Sequence, residues 1–133
     1  MKARSDLTVA DLMTTQLITI KASEPLKEAR ADMDIGVIRH LPVVDDRGRL
    51  VGVISDRDLI SKRAGKVADV MTREVVTTKP DVPAFEAASM MLDNKISSVL
   101  VVNDEEQLVG MVTQTDYLEV ARRALLGLPL ERQ

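Results

Sequence analysis

The sequence predicts an α+β fold with α/β-like alternation, built from two copies of one β-α-β-β-α unit. The first observation is a repeat, because Val9–Thr14 (VADLMT) returns as Val67–Thr72 (VADVMT), an offset of 58 residues. The second is that Leu50–Asp58 recurs as Leu108–Asp116 at the same offset, with no gap between the two anchors. The third is that strand-type and helix-type apolar spacings alternate within each copy. Self-similarity over this length predicts a duplicated supersecondary unit.

The first half of copy one predicts a strand and then a helix. Leu17–Ile20 is a short run rich in β-branched residues, which favours a strand. Ser23 is the expected N-cap of the helix, and Pro25 stands in its first turn. The helix is expected to run to about Asp34. Gly36 follows just after this end, at the position where a glycine commonly adopts the left-handed conformation that caps a helix.

The second half of copy one predicts a hairpin and another helix. Leu41–Val44 and Leu50–Ile54 are apolar runs of strand length, and the polar turn Asp45–Arg49 between them contains a glycine. Ser55 is then the expected N-cap of the second helix. Asp58, at the third helical position, can reach back to the cap and also favours the positive end of the helix dipole.

The second copy predicts the same order of elements with a longer last helix. The expected bounds are a strand at 75–77, a helix at 81–93 with Asn94 as its stop, strands at 99–102 and 108–112, and a helix from Thr113 to about Leu126. The chain is therefore expected to divide into a first repeat at residues 1–64, with its N-terminal lead-in, and a second repeat at 65–133, with an extended C-terminal helix and tail.

The composition limits the class of protein and partner. The chain has 133 residues with a formal net charge of −3 and no cysteine, and only 2% of its residues are aromatic. These values argue against nucleic acid as a partner, against disulfides or thiol chemistry, and against base stacking on aromatic platforms. No apolar run approaches the ~20 residues needed to span a bilayer, and no signal segment is present at the N-terminus. We therefore expect a cytoplasmic protein with no membrane partner.

Five motifs resemble the CBS domain family, named for cystathionine β-synthase. They are VADLMT and VADVMT at the two repeat entries, RHLPVVD at Arg39–Asp45, and the strand-to-helix junctions GVISDRD and GMVTQTD. The resemblance extends from about Thr8 to Val120. It implies two repeats packed through their sheets with pseudo-two-fold symmetry, and a homodimer.

The two strand-to-helix junctions carry the candidate chemistry. In Gly-x-x-Ser/Thr-x-x-Asp, a hydroxyl and a carboxylate emerge together at a helix N-terminus, where free N–H groups favour a phosphate and the Asp can accept hydrogen bonds from a ribose diol. The same spacing is also an ordinary capping box, which needs no ligand. The spacing by itself leaves both interpretations open.

The resemblance implies that an adenine nucleotide or an S-adenosyl compound binds in a cleft between the repeats. Asp58 would hold the ribose in one site and Asp116 in the other. The implied binding residues of the first repeat are Thr19, Ile38, Arg39, His40, Leu41, Pro42, Ser55, Arg57 and Asp58. Those of the second repeat are Thr77, Ile96, Ser97, Ser98, Thr113 and Asp116.

The two sites are not expected to be equivalent. Copy one carries Arg39, His40 and Arg57 where copy two has Ser97, Ser98 and Thr115. Because guanidinium groups bind phosphates bidentately, we expect the Asp58 site to prefer charged nucleotides. The Asp116 site is expected to be weaker, empty or selective for a less phosphorylated ligand. The alternative for His40 is a partly exposed structural histidine.

These observations predict a regulatory or sensor module, which signals by altered packing or by binding a separate effector protein. The resemblance implies that the ligand is an adenine nucleotide or an S-adenosyl compound, with or without Mg²⁺, and no further cofactor, metal site or catalytic residue is expected. Asp56 and Asp58 do not share a helix face as an acid/base pair would, so an enzyme is not expected. The alternative is a constitutive dimeric interaction protein with vestigial clefts, held together by its long last helix and Met-rich entry segments.

Overall fold

The structure is a computed structural model that describes residues 6–36, 38–62 and 64–130. The chain forms two compact units. Of the described residues, the first-repeat unit contains those within 17–75 and 105–108, and the second-repeat unit contains those within 6–16, 76–104 and 109–130. Each unit has one three-stranded sheet with helices, so the predicted α+β class is confirmed. The tail at 131–133 lies outside the described residues.

The helices and strands recur in the same order in the two halves of the chain. In chain order they are α1 (Val9–Leu12), β1 (Ile20–Lys21), α2 (Leu26–Gly36), β2 (His40–Val44), β3 (Leu50–Ser55), α3 (Asp56–Ser61), β4 (Thr77–Thr78), α4 (Ala84–Asn94), β5 (Ser98–Val102), β6 (Leu108–Thr113) and α5 (Gln114–Leu125). A 3₁₀ turn at Val67–Asp69 precedes β4.

The predicted hairpin of copy one is confirmed. Strands β2 and β3 pair antiparallel from His40 opposite Ser55 to Val44 opposite Leu50, and β1 pairs parallel with β2. In the turn, one carboxylate oxygen of Asp45 accepts hydrogen bonds from the N–H groups of Arg47 and Arg49, each at 2.9 Å. The Arg49 N–H, aided by the Arg49 guanidinium, holds the pKa of Asp45 below its ordinary value.

Each unit has its own aliphatic core, built from one face of a helix and the inward side chains of a sheet. In α2 the buried residues are Leu26, Ala29 and Met33, three or four positions apart as an amphipathic helix requires. In α4 they are Ala84, Ala87 and Met91, the same three positions of the second copy. Burying each large aliphatic side chain contributes about 1.5–3 kcal/mol.

Each unit also includes the VADxMT segment that precedes the other repeat in the sequence. In the first-repeat unit, Val53 and Thr72 exchange two backbone hydrogen bonds of 2.9 Å. In the second-repeat unit, Thr14 and Met111 exchange hydrogen bonds of 2.9 and 3.0 Å. The compact units therefore each combine residues from both sides of positions 64 and 65, and the division into repeats at these positions stays a prediction from the sequence.

The predicted starts of β3, α3 and β6 are confirmed, but those of several other strands and helices were wrong by one to three residues. β1 begins at Ile20 rather than Leu17, because the ladder with β2 starts only where Ile20 faces Val43. α2 begins at Leu26 rather than after Ser23, because Pro25 forms a bridge with Lys66 and the N–H of Leu26 donates to the carbonyl of Gly65. Tertiary pairing thus outweighs the local cap signal.

The same shift recurs in copy two, and two predicted helix stops were also wrong. β4 lies at Thr77–Thr78 rather than 75–77, and α4 at Ala84–Asn94 rather than 81–93. Gly36 is the last residue of α2 and is not among the residues with positive φ. Asn94 is still helical, and it is Lys95, with a φ of 54°, that adopts the left-handed conformation. The predicted end of α5 before Gly127, which has a φ of 72°, is confirmed.

Candidate functional site

The junction of β3 and α3 in the first-repeat unit is a capping box, as predicted. The N–H of Ser55 donates to Oδ2 of Asp58 at 2.8 Å, and the N–H of Asp58 donates to the hydroxyl of Ser55 at 3.3 Å. These two bonds fix the carboxylate beside the end of the strand. Within the described part of the chain, Oδ1 of Asp58 accepts no hydrogen bond, so one oxygen remains available to a ligand.

The start of β2 lies directly beside this junction. His40 faces Ser55 in the antiparallel register, and the carbonyl of Arg39 accepts a hydrogen bond of 2.9 Å from the N–H of Asp56. The side chains of Arg39, His40 and Arg57 are all exposed. The hairpin therefore places the backbone of Arg39 and His40 beside the cap that holds the half-buried Asp58, and the exposed side chain of Arg57 precedes Asp58 on α3.

The remaining implied residues of the first repeat line cavities or lie in the core. Ile38 lines a cavity of about 460 Å³ between α2, the start of β2 and α3, together with Arg39 and Asp56 of the junction. Thr19 lines a different cavity, of about 350 Å³, with Lys21 and the acidic side of α2. Leu41 is fully buried and belongs to the core of the unit, and Pro42 is also buried. The backbone register thus brings His40, Ser55 and Asp58 together, and Thr19 lines a separate cavity.

The second-repeat junction has the same backbone geometry without the basic side chains. Both the N–H and the hydroxyl of Thr113 donate to Oδ2 of Asp116, at 2.8 and 3.2 Å, and the N–H of Gln114 donates to the carbonyl of Ser97 at 3.0 Å. Asp116 is only 7% exposed. Of the other implied residues, Thr77 and Ile96 are half-buried, and Ser97 and Ser98 are exposed.

Tyr117 distinguishes the second junction further. Its hydroxyl donates to the carbonyl of Ala84 at 2.6 Å. Burial, followed by the neighbouring Asp116 charge, raises the pKa of Tyr117 to about 12. The same position in the first repeat is Leu59, which is buried.

Arg30 is not among the site residues predicted from the sequence. Its guanidinium donates to the carbonyls of Leu59 and Lys62, at 3.0 and 2.8 Å, and so connects α2 to the end of α3 beside the 460 Å³ cavity. The signal was present in the repeat, because the residue 58 positions later is Ala88. A residue charged in only one copy is not required by the shared fold.

Within 6–36, 38–62 and 64–130, no three His, Asp or Glu side chains are grouped so that they could hold a metal ion. Over the same ranges, no helix is both long enough and apolar enough to cross a membrane.

The comparison with known proteins agrees with this duplicated architecture. The profile of the CBS domain matches residues 9–65 and 67–123. Inosine-5'-monophosphate dehydrogenase of Methanocaldococcus jannaschii is 37% identical over 111 residues, which are 82% of this chain and 22% of that protein. This chain thus spans about a fifth of that curated relative.

Two solved structures resemble nearly the whole chain. CBSX2 in complex with AMP is 31% identical with a TM-score of 0.78, over 89% of this chain and 98% of that one. The CBS domain pair of protein MJ0100, in complex with 5'-methylthioadenosine and S-adenosyl-L-methionine, is 32% identical with a TM-score of 0.74, over 86% of this chain and 99% of that one. The chain therefore belongs to the CBS domain family, of which it contains two domains in tandem.

Proposed function

We propose that this CBS pair is a regulatory module that binds an adenine nucleotide, and that its phosphate-competent site lies at the first-repeat junction. One observation carries the proposal. Oδ1 of Asp58 lacks a hydrogen-bond partner among the described residues, and exposed basic side chains stand on the adjoining segments. The AMP held by CBSX2 and the adenosyl compounds held by the MJ0100 pair support this class of ligand.

Each residue at this junction has a separate task in the proposed binding. The cap occupies Oδ2 of Asp58 and thereby orients Oδ1, which can accept a hydrogen bond from a ribose hydroxyl. Arg39 and Arg57 can bind a phosphate bidentately, and His40 can add a donor. Where Mg²⁺ takes part, it is proposed to enter with the nucleotide phosphates.

The second junction is proposed to bind a less phosphorylated adenosyl compound, or to bind more weakly. Asp116 is only 7% exposed. The positions equivalent to the basic residues of the first repeat are Ser97, Ser98 and Thr115. A phosphate at this junction would lose its hydration without gaining a cation. Such a loss costs free energy, because a buried charge needs a partner.

Binding would act as a signal by stabilising one packing arrangement of the liganded protein. A ligand present at a hundredfold excess over its dissociation constant stabilises the folded state by about 2.7 kcal/mol. The protein is proposed to act in the cytoplasm as a homodimer that contacts a separate effector protein, and to bind its ligand without turnover.

The proposal is tested by thermal shift and calorimetry with AMP, ADP, ATP, 5'-methylthioadenosine and S-adenosylmethionine. AMP should bind the first site and raise the melting temperature, and Asp58→Asn should weaken AMP binding at least tenfold, the equivalent of about 1.4 kcal/mol. The matched control is Asp69→Asn, because Oδ2 of Asp69 accepts a 2.9 Å bond from the N–H of Lys66 in another cap of the same unit. No shift with any of these ligands at millimolar concentration would refute nucleotide binding, and equal losses in the two variants would refute the role of Asp58.

A second candidate function is a constitutive dimeric interaction protein. It is favoured by the exposed apolar side chains of α5, among them Leu118 and Leu125. Size-exclusion chromatography with light scattering separates the two functions. A dimer that is unchanged by nucleotide, together with no ligand-induced thermal shift, would support this second function over the first.

A further inference from the structure

The helix that carries Asp58 is short. α3 has six residues, fewer than two turns, and a helix of this length is marginal in isolation, because its last carbonyl groups have no partner within the helix. The cap of Ser55 and Asp58 satisfies its first turn. At the other end α3 passes directly into extended chain, since Lys62 has a φ of −150° and a ψ of 130°. The last carbonyls of α3 therefore need donors from elsewhere in the unit.

Arg30 of α2 supplies donors to this end of α3. Its Nη2 donates to the carbonyl of Leu59 at 3.0 Å and to that of Lys62 at 2.8 Å. Hydrogen bonds from a charged donor are stronger than neutral ones, and a cation beside the C-terminal end of a helix is also favoured by the helix dipole. α2 is itself fixed, because its Leu26 and Met33 are buried in the core of the unit. Arg30 thus connects a short helix to a well-packed one.

The second repeat closes the equivalent helix in another way. The position equivalent to Arg30 is Ala88, and an alanine side chain cannot donate a hydrogen bond. α5 has twelve residues, and the N–H of Leu126, just after it, donates to the carbonyl of Arg122 at 3.0 Å. A longer helix with its own closing turn thus replaces the arginine. The contact of Arg30 belongs to the repeat whose junction carries the exposed basic side chains, and the shared fold does not require it.

The first carbonyl that Arg30 holds is adjacent to the residue proposed to bind the ribose. Leu59 directly follows Asp58, so a shift of the Leu59 carbonyl moves the peptide unit attached to Asp58. α3 has no further turn that could absorb this movement. A site whose carboxylate is correctly placed in only a fraction of the molecules binds its ligand more weakly by that fraction. Loss of the Arg30 contact should therefore lower the affinity even while the protein stays folded.

We propose that Arg30 is a positioning residue for the adenine nucleotide, which acts by holding the end of α3 and thereby keeps the Asp58 carboxylate in place for the ribose. The inference rests on the proposed function, because it assigns a task at the same site. It adds to that site a residue of α2 that lies outside the junction. Since Ala88 stands at the equivalent position, the Asp116 junction lacks this support.

Titration calorimetry with AMP tests the proposal on the full chain. Arg30→Met removes the guanidinium and should raise the dissociation constant for AMP about tenfold. Arg30→Lys keeps a cationic donor near the end of α3 and should restore the affinity to within about threefold of wild type. Lys27→Met removes an exposed charge from the same helix, and Val101→Ala removes buried methyl groups from the core of the second-repeat unit. Both controls should change the affinity less than about twofold, because neither contacts α3.

Adenosine and hydrogen exchange distinguish positioning from a direct contact with the phosphate. Adenosine has the same ribose without the phosphate, so Arg30→Met should weaken adenosine and AMP by the same factor. In the unliganded variant, hydrogen exchange measured by mass spectrometry should be faster for the amides of α3 and unchanged for those of α2. An effect on AMP alone, unchanged exchange in α3, or an equal loss of affinity in Val101→Ala would overturn the proposal.

The same titrations separate this inference from the proposed function. No binding of AMP by the wild type would refute nucleotide binding and this inference with it. An unchanged affinity in Arg30→Met, beside a wild type that binds AMP, would overturn this inference alone. If circular dichroism shows that Arg30→Met is not folded, Arg30→Gln replaces it with the same controls, and its expected loss of affinity is at least about threefold, because a neutral donor is weaker than a charged one.

Discussion

A single methyl group added at Gly52 tests how closely the VADVMT segment lies on β3. An ideal Cβ at this position would stand 2.7 Å from the carbonyl oxygen of Thr72 and 2.9 Å from the sulfur of Met71. The carbonyl cannot simply withdraw, because Val53 and Thr72 are joined by two backbone hydrogen bonds of 2.9 Å. Gly52→Ala must therefore displace the segment or strain the strand.

The magnitude follows from these contacts. Overpacking of a well-filled site costs about 1–3 kcal/mol, and weakening a backbone hydrogen bond costs about 1 kcal/mol more. We expect Gly52→Ala to lower the free energy of unfolding by about 3 kcal/mol and the melting temperature by roughly 10 °C. Urea unfolding and thermal melts followed by circular dichroism measure both quantities.

The repeat supplies the matched comparison. At Gly110 a Cβ would lie 2.7 Å from the sulfur of Met13, but 3.0 Å from the nearest backbone oxygen, that of Thr14. A flexible methionine can move aside, so Gly110→Ala should cost about 1–2 kcal/mol. The reasoning is refuted if Gly52→Ala costs less than Gly110→Ala, or if it is neutral.

Three further substitutions test other contacts, each by unfolding measurements. Arg30→Met should lower the free energy of unfolding by about 1–3 kcal/mol, because two carbonyls at the end of α3 lose their donor, while Lys27→Met on the exposed side of α2 should be nearly neutral. Tyr117→Phe should cost about 1 kcal/mol at neutral pH. Because the folded pKa of Tyr117 is raised to about 12, its stabilising contribution is present below pH 10.0 and is lost as the pH rises towards 12, a loss that Tyr117→Phe should not show. The folded pKa of Asp45 is lowered, so wild type should have a higher free energy of unfolding than Asp45→Asn at neutral pH. This difference should shrink below pH 3.8, and an undiminished difference in acid would contradict the prediction.

The parts of the site that could be predicted from the sequence are those fixed by local spacing. Ser55 and Asp58 are three residues apart, and so are Thr113 and Asp116, and both pairs form the expected caps. The placement of Thr19 beside a separate cavity, and of Leu41 in the core, depends on strand register. Register is decided by pairing across the sheet, which spacing along the chain does not reveal.

The sequence by itself determined the duplication, the order of the elements and the asymmetry between the repeats. The repeat can be followed residue by residue in the sequence, and so can the difference between Arg39 and its equivalent in the second copy, Ser97. Only the tertiary structure decided that each VADxMT segment completes the unit of the other repeat, and that an exposed apolar face stands on α4 and α5. The physical reason is that burial and long-range hydrogen bonding are set by distant residues, so an apolar side chain such as Leu118 has the same local pattern whether it lies in a core or in solvent.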